Sequence, residues 1–150
     1  MRADRSRELP GLLYIEPGAT TVGDLAGYHV RLAELARAHV GVVHVVVRID
    51  EQTPIPPPEV RDALESFVRD VVARGAQIWL AVETQGFGAA VLRGIATSLV
   101  LISPVRGAIH VLSSIDPALE AVAESLGTTP SALSEALGLH ATSHAAVAAR

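Results

Sequence analysis

Five carboxylates stand where predicted strands run out: Glu16, Asp50, Glu51, Glu83 and Asp116. In a parallel α/β sheet, ligands bind in the crevice at the carboxyl ends of the strands, and carboxylate oxygens gathered there suit a hard cation. A plainer use competes with that chemistry. Asp24 and Asp116 sit at helix starts, where a side-chain oxygen satisfies free backbone N–H groups, and solvated loop acids need no ligand. Gln85-Gly86-Phe87-Gly88 opens a predicted helix and presents backbone N–H groups to an anion, without the spacing of a dinucleotide or phosphate loop. Glu16, Asp50, Glu83, Gly86 and Gly88 therefore form a candidate ligand edge, with no metal and no cofactor expected.

Histidines and serines give less. His29 and His39 lie on one predicted helix about 100° out of phase, so they do not meet as ligands on one face. His44 and His110 fall in different strands and meet only if those strands are neighbours with both rings on the same side. His140 and His144 have the i, i+4 spacing of a helical metal pair, but in a tail expected to fray. No serine occupies a G-x-S-x-G elbow: Ser98 and Ser103 belong to an apolar helix, and Ser113-Ser114 precede a helix start. The chain is read as non-enzymatic.

Composition points the same way. The 150 residues, 49% hydrophobic and 19% charged, make one domain able to bury a core. There is no cysteine, which removes thiol nucleophiles, disulfides and Cys-ligated metals. All twelve basic residues are arginine, which removes Schiff-base chemistry and the phosphate-loop lysine. The richness in Ala, Val, Leu and Arg resembles that of a GC-rich bacterial genome. A net charge of −4 supplies no field for nucleic acid or anionic lipid. The opening residues lack the apolar core of a signal peptide, so a cytoplasmic location is expected.

The elements that must position these residues follow from periodicity. Residues 1 to 10 read as a flexible lead-in, with the addition of an edge strand left open. Leu12 to Glu16 is a strand closed by Pro17-Gly18. Thr21 and Asp24 form a capping box for an amphipathic helix carrying Leu25, Tyr28, Leu32 and Leu35. Val42 to Ile49 is β-branched nearly throughout, as in a strand covered on both faces. Pro54, Pro56, Pro57 and Pro58 form a stiff loop leading to a helix through Val60, Leu64, Phe67 and Val71, stopped at Gly75. Gln77 to Glu83 and Ala108 to Leu112 are further strands. Between them runs a helix to about Ser103, and after them come a helix capped by Asp116 with Pro117 at its first turn and a short one from Pro130. The order predicts an α/β domain: a single, mainly parallel, four- to five-stranded sheet with right-handed helical crossovers.

Pro17-Gly18-Ala19-Thr20-Thr21-Val22-Gly23-Asp24, Val45-Val46-Val47-Arg48-Ile49-Asp50, Phe87-Gly88-Ala89-Ala90-Val91-Leu92-Arg93 and Ile109-His110-Val111-Leu112-Ser113-Ser114-Ile115-Asp116-Pro117-Ala118-Leu119 together resemble the STAS domain. This is the fold of bacterial anti-sigma-factor antagonists, and the likeness is greatest to the small stand-alone STAS/SEC14-like group. It spans residues 11 to 127, followed by a C-terminal helix over 128 to 140 and a flexible tail over 141 to 150. The resemblance implies an opening antiparallel strand, for which residues 1 to 10 offer poor material. It also implies a phosphorylatable serine turn before the second helix. Here that turn is Asp50-Glu51-Gln52-Thr53-Pro54, whose carboxylates would repel a phosphate on Thr53.

Two segments bear on partners. Residues 119 to 138 have helix-turn-helix spacing at Ala123, Gly127 and Leu133, but Asp116, Glu120, Glu124 and Glu135 stand there with no arginine, so DNA binding is not expected. The third helix, Ala89 to Ile102, is apolar nearly all round, is too short for a membrane span and carries Arg93. Phe87, Leu92, Ile95, Ala96, Leu99, Val100 and Ile102 are accordingly read as an interface for a protein partner or a second copy. The expected function is regulatory or scaffolding. The alternative is a carrier of a small apolar or lipid-like ligand.

Overall fold

In the computed structural model, which describes residues 2 to 139, five strands form one sheet in the order β1-β2-β3-β4-β5. These are β1 (Arg5–Leu9), β2 (Leu12–Glu16), β3 (His44–Ile49), β4 (Gln77–Val82) and β5 (Ile109–Leu112). The first pair is antiparallel and the other three are parallel. The connecting helices are α1 (Val22–Ala38), α2 (Pro58–Ala73) and α3 (Phe87–Ile102), with α4 (Asp116–Leu126) and α5 (Pro130–Ala136) after the last strand. The expected α/β class and mainly parallel sheet are found, with five strands.

The edge strand left open for residues 1 to 10 is present. Arg5 to Leu9 pair with β2 in the register Arg5↔Glu16 to Leu9↔Leu12, turned by Pro10 and by Gly11 at φ 80°. The polar composition that hid this strand belongs to an edge, where one side of the backbone and most side chains meet water. Those side chains are also tied down: Arg31 of α1 pairs with Glu8 and donates to Ser6 Oγ at 2.8 Å.

The period of two in the strands sorts the core into layers. Leu13, Ile15, Val45, Ile78, Leu80 and Ile109 face α1, α2 and α3. Leu12, Tyr14, Val46 and Ala81 face α4 and α5, which bury Leu119, Val122, Leu133 and Leu137. The 119 to 138 pair is thus a packing hairpin on the domain's own sheet. The start of α4 departs in detail from expectation: its N-cap is Ile115, and the Ile115 N–H is satisfied from a distance by Glu83 Oε2 at 2.8 Å. His140, His144 and the tail lie outside the described residues. Among the described residues no helix is long and apolar enough to cross a membrane.

Candidate functional site

The three-helix layer does not close. A cavity of about 530 Å³ lies between the sheet and α1, α2 and α3. Helix α2 rests on α1 and α3 more closely than on any strand, with the rings of His29 and Phe67 meeting edge-on at 6.3 Å, so the middle of the layer is held off the sheet. Val47 shows the consequence. It sits in a central strand between Ile15 and Leu80, yet it is only partly buried, because its side chain lines the void. A dry closed void costs roughly 24 cal/mol per Å³, which here is on the order of 10 kcal/mol and comparable to the whole stability of a domain. The space opens instead at the carboxyl ends of β2 and β3, between the 17–21 and 53–57 loops.

A polar clasp shapes that opening. The Asp4 carboxylate accepts from the Gly18 N–H at 2.7 Å, from Thr20 Oγ at 2.8 Å and from the Tyr28 hydroxyl at 2.7 Å. Burial, followed by the hydrogen bond to Asp4, raises the Tyr28 pKa well above the ordinary phenol value, so this hydroxyl stays a donor. Arg2 crosses to the next loop, donating to Asp50 at 3.2 and 3.3 Å and to the Pro17 carbonyl at 3.0 Å. Burial raises the Asp50 pKa, but the Arg2 guanidinium and the Gln52 N–H outweigh it and hold this carboxyl below its usual range. Gly18 is required by the close approach: a Cβ there would lie 2.0 Å from the Arg2 carbonyl oxygen.

The residues singled out from sequence divide. Leu92, Ile95, Ala96 and Leu99 line the cavity, and Leu92, Ala96 and Leu99 are buried, which corrects their reading as an external interface in this conformation. Ile102 packs partly buried against the same core. Phe87 and Val100 do face outward, together with Leu101, at 83%, 40% and 81% exposure. The hydroxyls of Thr97 and Ser98 bond back to the carbonyls of Arg93 and Gly94, which leaves the outer side of α3 still more apolar.

The acidic edge is dispersed. None of Glu16, Asp50, Glu83, Gly86 and Gly88 lines the cavity. Glu83 pairs with Arg48 on the α4 side, Asp50 is taken by Arg2, and Gly86, at φ 99°, is the N-cap of α3. Among the described residues no three His, Asp or Glu side chains gather as a metal site. The buried Tyr14 hydroxyl lies without a hydrogen-bond partner among the described residues, and burial together with the Glu16 charge drives its pKa up.

His44 and His110 share a face, but β4 stands between their strands and Trp79 fills the gap. The indole stacks on His110 at 3.9 Å between centroids and donates to His44 Nδ1. His44 Nε2 lies 2.8 Å from Ser125 Oγ. Because indole N–H is only a donor, neutral His44 must carry its proton on Nε2 and give it to the serine. That is the wrong tautomer for a general base acting on Ser125.

Sequence reasoning missed Val47, Tyr28 and Asp4 as cavity residues. Val47 and Tyr28 look like ordinary core in any periodicity count, and Asp4 sits in a segment without a pattern. The stretch of four prolines among residues 54 to 58 was the available signal, since it cannot pack as a strand or helix over the sheet. No family model, curated protein or solved structure matches this chain.

Proposed function

We propose that this chain is a non-enzymatic STAS-like binding protein whose ligand is a small apolar molecule held between the sheet and the three helices. The observation that carries the reading is the 530 Å³ cavity and its lining, which is almost wholly aliphatic apart from Phe67 and a few polar groups at the mouth. Ligand pockets of roughly 300–1,000 Å³ are typical for small molecules. At about 30 Å³ per water-sized group, this one holds roughly 17 heavy atoms. The antiparallel opening strand supports the STAS-like part of the reading, because it supplies the element that the resemblance implies and for which the composition of residues 1 to 10 is poor material.

The test is titration of the full chain with the uncharged fluorophore phenylnaphthylamine. Saturable, one-per-chain enhancement that Val47→Phe abolishes is expected; no saturation, or enhancement indifferent to Val47→Phe, rejects the proposal.

A second reading, docking of a protein partner or a second copy on α3, draws on the exposed Phe87, Val100 and Leu101. Light scattering separates the two. A mass above the monomer that returns to monomer in Val100→Asp supports the interface, and a monomer unchanged by that substitution rejects self-association.

A further inference from the structure

The chemistry of the cavity mouth goes further than apolar binding and selects the head of the ligand. We propose that the cavity takes an apolar molecule with a hydrogen-bond-donating head, a hydroxyl or an amine, and excludes carboxylate and phosphate heads. This rests on the cavity reading above.

Among the described residues, the charged ones lining the cavity are Asp4 and Glu59, both acidic, and no arginine or histidine lines it. Arg2, the cation next to the rim, commits both terminal nitrogens to Asp50, Gln52 and the Pro17 carbonyl; its Nε is buried without a partner among the described residues, and Arg2 does not line the cavity. An anion entering here would give up its hydration with no counter-charge, a cost of several kcal/mol.

Backbone donors are also scarce at the rim. The 53–57 loop contains Pro54, Pro56 and Pro57, which have carbonyls and no N–H, and its Thr53 N–H donates to Asp50 O, so Ile55 carries the one backbone N–H of this loop without a partner among the described residues. In the other loop, Pro17 has no N–H, and the four that follow are all engaged. Gly18 donates to Asp4, Ala19 to Arg2 O, Thr20 to Gly18 O and Thr21 to Asp24. Two helix starts, α1 and α2, face the mouth and would ordinarily attract an anion. Each already holds its own carboxylate in the first turn, Asp24 and Glu59 respectively. The rim is therefore rich in acceptors and poor in free donors, and the complementary head is a donor. Glu59, exposed at the edge of the cavity and in no ion pair among the described residues, is the acceptor best placed to meet it.

The experiment uses three probes of one chain length, tetradecanol, tetradecylamine and tetradecanoate, competing with phenylnaphthylamine on the full chain. At about pH 7.5, where the fatty acid is ionised, the alcohol and the amine should displace the dye at least tenfold more effectively than the carboxylate, by roughly the penalty of an uncompensated charge. Glu59→Arg, an exposed substitution, should narrow or reverse that order by favouring tetradecanoate. Equal or tighter binding of the carboxylate to the unmodified chain overturns the head-group assignment while leaving the cavity intact. Failure of the dye and of all three probes to bind overturns the cavity reading and this inference with it.

Discussion

The indole N–H of Trp79 donates to Nδ1 of His44 across 3.2 Å, and this one bond fixes the chemistry of the face opposite the cavity. It sets the tautomer of a buried imidazole, turns Ser125 into an acceptor, and leaves the Ser–His pair structural. Desolvation lowers the pKa of both His44 and His110, with His39 and His110 adding to the effect at His44.

A pH dependence follows with a definite sign. Both rings are held neutral in the folded chain, so the unfolded chain binds more protons between the depressed folded value and the ordinary 6.5. Their contribution to stability is complete above the ordinary value and is lost as pH falls through the folded one. The melting temperature should drop on acidification below about pH 6.5. His44→Gln, which can still accept from Trp79 and donate to Ser125, should flatten part of that drop.

Trp79 is the only tryptophan and lies stacked on His110, so its fluorescence reports that ring. Emission should titrate with a midpoint below 6.5, and His110→Gln should remove the transition without shifting the far-ultraviolet circular dichroism.

The Asp4 clasp should be worth more than an exposed hydrogen bond, because Tyr28 is only 5% exposed. Asp4→Ala should cost about 1–3 kcal/mol by leaving a buried hydroxyl unsatisfied, and Tyr28→Phe about 1 kcal/mol, as the Asp4 carboxylate keeps its bonds from the Gly18 N–H and Thr20 Oγ. Gly18→Ala should be at least as damaging as Asp4→Ala, since its Cβ meets backbone. Chemical denaturation of the three variants ranks them.

Glu83 joins two elements, pairing with Arg48 and capping Ile115. Glu83→Ala should destabilise by roughly 2 kcal/mol, because a half-buried arginine and a helix start lose their acceptor together. Glu83→Gln, which keeps an amide oxygen, should cost less than half of that. Urea unfolding measures both.

Much of the fold is legible in the sequence because it is written in local terms. The Val45-Val46-Val47 run, the Thr21–Asp24 capping box and the Thr129 cap donated to by the Ala132 N–H each declare an element within a few residues. What was hidden depends on pairing at a distance. Residues 5 to 9 become a strand only because β2 offers an open edge and Arg31 reaches across to Glu8. Likewise, the apolar excess of α3 is a true signal of burial beyond one stripe, but periodicity cannot say whether the extra surface meets a partner or an internal void. Leu92, Ala96 and Leu99 turn inward, while Phe87 and Leu101 turn out. The acids at the strand ends share a sheet edge in sequence and then separate, Asp50 to Arg2 and Glu83 to Arg48, partners that no spacing rule could reveal.

Filling the cavity should reverse the usual penalty of overpacking. Adding bulk to a packed core typically costs about 1–3 kcal/mol, whereas Val47→Phe has empty space in front of it and should leave stability unchanged or raised. A thermal melt checks the direction.

The most direct measurement is methyl NMR of the full chain during titration with tetradecanol. Shifts should concentrate on Val45, Val47, Leu64, Ile95 and Leu99 and saturate at one equivalent, while Val122 and Leu133 beneath α4 and α5 stay still. Saturating shifts confined to Val100 and Leu101 on the outer side of α3, or none at all, would contradict an internal binding site.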